Sequence, residues 1–116
     1  MSNRVTEPSF WILSALAAGP RHGYGILQDV NSLSAGETSL KVPTLYATLD
    51  RLQRDQLIEP AGEEVVDGRA RRYFILTDRG AVVLQAEAAK LAERARIATQ
   101  RLAVRPRPAV ASVAFA

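Results

Sequence analysis

Cysteine is absent from this 116-residue chain, which excludes disulfides, thiolate catalysis and cysteine-ligated metal centres and makes a reducing cytosol the expected home. Histidine is nearly absent too. His22 is the only one, and a single imidazole without cysteine or paired-carboxylate partners makes a poor metal site, so it is expected to serve structurally at the start of a helix. No apolar run approaches the roughly 20 residues that cross a bilayer, and no charged stretch leading into an apolar one marks an export signal. A soluble, cytoplasmic protein with no membrane partner is therefore expected. Catalytic constellations are missing as well. No serine sits in a nucleophile elbow, and no carboxylate pair lies in surroundings that would push its two pKa values apart. Gly23 and Gly25 do not begin a dinucleotide loop, because Gln28 holds the place of the third glycine and no strand precedes them. Neither enzymatic activity nor a cofactor is expected.

What is present is an apolar fraction of 47%, enough for one modest core, in a chain short enough that dimerisation would be a natural supplement. The sequence pI near 9.8 suggests nucleic acid, but the charge is unevenly distributed. Up to Asp78, acidic residues slightly outnumber basic ones; from Arg79 onward seven cations, Lys90 and Arg101 among them, face only Glu87 and Glu93. Bulk charge is thus weak grounds for DNA binding, and the positions of individual cations have to carry the argument.

Periodicity gives the elements. Phe10 to Ala17, interrupted only by Ser14, forms a strongly apolar first helix that starts near Thr6 or Pro8 and ends at Gly19-Pro20. A second helix runs from about His22 to Leu33, with Ile26, Leu27, Val30 and Leu33 toward the core, and Ser34 to Lys41 connects it to a third. In that third helix Leu45, Leu49 and Leu52 form an apolar stripe closed by Leu57. Pro43 suits its first turn, and Thr44, Ala47, Thr48 and Arg51 are left pointing outward. Ile58 opens a strand, Asp67-Gly68 makes a turn, and Arg69, Arg71 and Arg72 lead into Tyr73-Phe74-Ile75-Leu76. Alternation puts Arg72 on the inward side with Phe74 and Leu76, and Arg71 with Tyr73 and Ile75. Thr77-Asp78 caps a fourth helix that reaches about Leu102. Its stripe of Ala81, Leu84, Ala88, Leu91, Ala95, Ala98 and Leu102 alternates spacings of three and four, as a helix-pairing seam does.

Pro43-Thr44-Leu45-Tyr46 with Leu49-x-Arg51-Leu52, then Leu57-Ile58, then Gly68-Arg69-x-Arg71-Arg72-Tyr73-Phe74-x-Leu76-Thr77-x-x-Gly80, preceded by His22-Gly23-Tyr24-Gly25-Ile26, resembles the signature of PadR-type transcriptional regulators of the short subclass. The likeness spans roughly residues 7 to 102, with the motifs in order. Val42 stands where the family often has a glycine. The resemblance implies a mainly α fold with a small β-hairpin: a winged helix-turn-helix unit over residues 1–77 and a C-terminal dimerisation helix over 78–103, while the loss of pattern around Arg105-Pro106-Arg107-Pro108 makes residues 104–116 a disordered tail. It implies a sequence-specific homodimeric repressor, bound to a palindromic operator in double-stranded DNA and released by a small-molecule or other effector.

The expected DNA contacts are Lys41, Thr44, Tyr46, Thr48 and Arg51 around the third helix and Arg69, Arg71 and Arg72 in the wing. Short hydroxyls and guanidinium groups suit base edges and phosphates. Tyr46 joins that set by resemblance. Dimerisation is expected along Leu84, Ala88, Leu91, Ala95, Ala98 and Leu102. Some multidrug-sensing members line a pore with aromatics at the dimer interface; here the fourth helix has none, so Phe10, Trp11 and the Ala-Leu seam are the candidate effector lining, with plain core packing as the alternative. A winged-helix protein-interaction module that never touches DNA is the rival reading, and the acidic balance before Arg79 favours it.

Overall fold

The computed structural model describes residues 5–107. In chain order the elements are α1 (Glu7–Ala17), β1 (Arg21–His22), α2 (Gly23–Leu33), α3 (Val42–Arg54), β2 (Ile58–Val66), β3 (Arg69–Leu76) and α4 (Asp78–Ala103). Three of the helix starts are fixed by side chains that accept orphan backbone N–H groups. Thr6 Oγ1 accepts from Ser9 N at 3.2 Å, His22 Nδ1 from Gly25 N at 3.2 Å, and Thr77 Oγ1 from Gly80 N at 2.9 Å. α3 begins at Val42 with Lys41 as its N-cap residue and no side-chain cap, so the valine in the family's usual glycine position is compatible with an ordinary helical start.

Helices α1 to α3 enclose one core. Ile12, Leu13 and Leu16 of α1 meet Ile26 and Val30 of α2 and Leu45, Leu49 and Leu52 of α3, and Leu57, Ile58 and Phe74 close the floor from the sheet side. Leu33, expected inward, is exposed at the end of α2; the inward place goes to Ser34, which is buried and hydrogen-bonded through its hydroxyl to the backbone of Thr38. The expected hairpin is a three-stranded antiparallel sheet of order β1-β3-β2. The added strand is only two residues long and pairs Arg21 with Phe74 and His22 with Tyr73. At the hairpin tip Asp67 and Gly68 have φ of 52° and 76°, the left-handed pair that a tight two-residue turn requires. A bulge interrupts β2 between Pro60 and Glu63, around Gly62 at φ 111°.

α4 starts against the end of α3. Thr77 Oγ1 donates to the Gln56 carbonyl at 2.7 Å, Thr77 N to the Leu57 carbonyl at 3.1 Å, and Arg79 Nε to the Asp55 carbonyl at 3.2 Å. Gly80 is packed so closely over the Leu57 carbonyl that a Cβ would collide with it. From there α4 has buried or half-buried residues only at Gly80, Val83, Leu84 and Glu87. Every residue from Ala88 to Arg107 is exposed, and the molecule measures 73 × 28 × 24 Å as a result. Of the expected tail, residues 104–107 follow the helix without regular structure and residues 108–116 lie outside the described part.

Candidate nucleic-acid interface

The outer surface of α3 follows from its buried one. Leu45, Thr48, Leu49 and Leu52 point inward, so at 100° per residue the opposite ridge is Pro43, Ala47, Asp50 and Arg54, all exposed. Tyr46 and Gln53 flank this ridge on one side, Thr44 and Arg51 on the other. This rotates the face expected from the sequence. Thr48 is buried, not outward, and its hydroxyl donates to the Thr44 carbonyl at 2.8 Å, which satisfies it inside the core. Arg51 is half-buried, and its Nη2 donates to Ser9 Oγ of α1 at 2.6 Å. Ser9 is itself buried and also accepts from Thr6 Oγ1 at 3.0 Å, so Arg51 is tied back toward α1. Thr44 and Lys41 are exposed, as expected.

Between α3 and the wing lies a cleft of about 340 Å³ lined by His22, Gly23, Tyr24, Tyr46 and the run Arg69 to Arg72. Tyr46 leans across α2 and lays its phenol on Gly23, where any Cβ would meet the hydroxyl. Glycine at 23 therefore admits this tyrosine, a more specific role than the general helix packing its composition suggests. Tyr24, 63% exposed beside the same cleft, was absent from the expected contact set; an exposed aromatic in the first turn of α2 was its only signal.

Each wing arginine has a different setting. Arg69 is exposed at the tip. Arg71 is half-buried with Nη1 3.5 Å from His22 Nε2. Since His22 Nδ1 accepts the Gly25 N–H, the neutral ring carries its proton on Nε2 and offers Arg71 no acceptor. Among the described residues no carboxylate forms a salt bridge with this guanidinium. Arg72, expected inward, is exposed: it shares parity with Phe74 and its guanidinium carbon lies 5.3 Å from the ring centroid. At Arg72 the strand has not yet reached the core, so inward parity does not mean burial there. The partner strand is acidic, with Glu63 opposite Arg72 and Glu64 opposite Arg71. Tyr73 donates its phenol to Glu64 at 2.7 Å, and this bond to a carboxylate raises the tyrosine above its ordinary pKa. β2 thus carries the acids on the outer edge of the ribbon, while β3 carries the arginines on the side that borders the cleft.

Two further features complete the surface. A second cavity, of about 330 Å³, lies where α1 meets α4, lined by Val5, Thr6, Glu7, Phe10, Trp11, Glu87 and Leu91. Phe10 and Trp11 meet edge to face at 5.1 Å, and Trp11 Nε1 donates to Glu7 at 3.3 Å. The seam residues Ala88, Leu91, Ala95, Ala98 and Leu102 are exposed, and Leu84 is half-buried. Among the described residues, no group of three or more His, Cys, Asp or Glu is placed to hold a metal, and no helix is long and apolar enough to cross a membrane.

Comparison with known proteins agrees with this geometry. A transcriptional regulator of Mycobacterium tuberculosis is 38% identical over 85 residues, which span 73% of this chain and 76% of that one. A PadR family transcription regulator from Clostridium difficile superposes with a TM-score of 0.70 at 24% identity, over 84% of this chain and 99% of its own. A PadR-like transcriptional regulator from Bacillus cereus gives a TM-score of 0.66 at 22% identity, over 83% and 89%. Residues 12–86, which run from the middle of α1 through the wing to the root of α4, match the PadR-like transcriptional regulator family, and the chain belongs to that family.

Proposed function

We propose that this regulator is a cytoplasmic, sequence-specific DNA-binding repressor that works as a homodimer on a palindromic operator. Residues 1–77 form the reading unit and residues 78–103 the dimerisation helix. Each subunit sets the outer ridge of α3 in a major groove, with Lys41, Thr44 and Tyr46 at its N-terminal half, while Arg69, Arg71 and Arg72 hold the flanking backbone. The observation that carries this reading is the cleft that brings Tyr46 of α3 and the guanidinium of Arg71 to one side of the molecule. Thr48 is left out of the interface because it is buried, and Arg51 contributes by anchoring α3 to α1.

Support for the dimer comes from α4, whose Ala-Leu stripe is exposed from Ala88 through Ala95 and Ala98 to Leu102. Release is assigned to the cavity at Phe10 and Trp11, because Leu91 of the seam is also in its wall and an occupant there would act on seam and domain together. A mobility shift on duplex DNA at several salt concentrations tests the reading. A DNA binder loses affinity steeply as salt rises. No shift at low salt would hand the molecule to the rival role of a protein-interaction module, for which the acidic β2 edge would be the docking feature.

A further inference from the structure

The outer ridge of α3 carries a carboxylate at its centre. Asp50 is exposed between Ala47 and Arg54 and lines an open groove with Gln53, Arg54 and Arg72 of the wing. Among the described residues it forms no salt bridge, although Arg54 lies one turn further along the same ridge. A surface meant only to grip phosphate would not place an acid there, since a carboxylate facing the backbone is repelled by it. Inside a major groove the same group has a specific use. It accepts a hydrogen bond but donates none, and the donors on the groove floor are the exocyclic amines of cytosine and adenine. Adenine sets the acceptor N7 beside its amine and so repels the second carboxylate oxygen. Cytosine does not.

Resting on the DNA-reading function proposed above, the geometry points to Asp50 as a specificity-determining residue that accepts from N4 of a cytosine in each half-site. The pair it reads also offers guanine O6 and N7, and the guanidinium of Arg54, which shares the ridge and the groove with Asp50, matches those acceptors. Asp50 therefore excludes three of the four bases at one position, while Arg54 supplies the attraction.

The test is selection of bound sequences from random duplex DNA by the full chain and by Asp50→Asn and Asp50→Ala. All three remain folded by thermal melting, because the residue is exposed. The parent selects a cytosine at a fixed place in each half-site. Asp50→Asn moves that preference to adenine, which asparagine pairs with through N6 and N7. Asp50→Ala loses discrimination there by about 5- to 150-fold, the span of one specific base contact, while the rest of the motif stays the same. A motif identical in all three proteins overturns the assignment of Asp50, as does a parent motif with no cytosine at that place. A parent that selects no sequence at all overturns the DNA-reading function itself.

Discussion

Leu91→Glu is the sharpest perturbation of the proposed dimer, because Leu91 sits near the middle of the α4 stripe and is 39% exposed in the single chain. Burying a whole leucine stabilises by roughly 1.5–3 kcal/mol, so covering the open two fifths contributes about 1 kcal/mol per subunit and about 2 for the pair. Glutamate forfeits that and adds two carboxylates to an apolar contact, each costing about 1–3 kcal/mol even after partial escape to water. The total loss is about 4–8 kcal/mol, which weakens association by a factor of about 10³ or more. Within one subunit the new side chain can leave by the face that is already open. Sedimentation velocity should therefore report a folded monomer at concentrations where the parent is dimeric, and operator binding should fall with it. A variant that stays dimeric and keeps parental affinity would refute the claim that α4 holds the subunits together.

Removing both Arg69 and Arg71 as alanine should weaken binding to specific and random DNA alike and flatten the plot of log affinity against log salt by about two phosphate contacts; an unchanged slope in a mobility-shift series would remove the wing from the interface. Gly80→Ala should destabilise the fold by about 1–3 kcal/mol in chemical denaturation, because its Cβ meets the Leu57 carbonyl, part of a backbone that has little room to retreat. Gln56→Gly should do the reverse. Gln56 is held at φ 65° just after α3, a conformation that suits glycine, and the exchange should raise stability by about 0.5–1 kcal/mol while leaving the Thr77 bond to its carbonyl intact.

Much of the fold could be read from residue spacing alone. The leucine stripe of α3, the Asp67-Gly68 turn and the threonine cap of α4 are local signals with local causes, and each lies where periodicity or turn chemistry puts it. The candidate interface was less legible because its details depend on partners distant in sequence. Thr48 looks like a surface residue until its hydroxyl is seen bonded to the carbonyl one turn back, which lets it enter the core. Arg51 looks like a DNA contact until Ser9, on another helix, is found accepting from it. β1 is too short to show any period, and only its pairing with β3 defines it. Asp50 is open to view in the sequence but reads there as an ordinary acid; its position on the outer ridge emerges once the buried face of α3 is fixed.

The junction of α3 with α4 has a mechanical consequence. Thr77, Arg79 and Gly80 fasten the root of α4 to the carbonyls of Asp55, Gln56 and Leu57, so α4 behaves as a stiff lever of roughly 39 Å whose pivot is the turn that follows α3. A tilt of about 5° at that pivot sweeps the far end through about 3.4 Å, the rise of one base pair. In the proposed dimer the levers of two subunits are joined, so the same tilt changes the separation and angle of the two reading helices instead of moving a free end. If the proposed dimer reads two half-sites, their spacing is set as much by the few hydrogen bonds at this pivot as by the residues that pair along the seam.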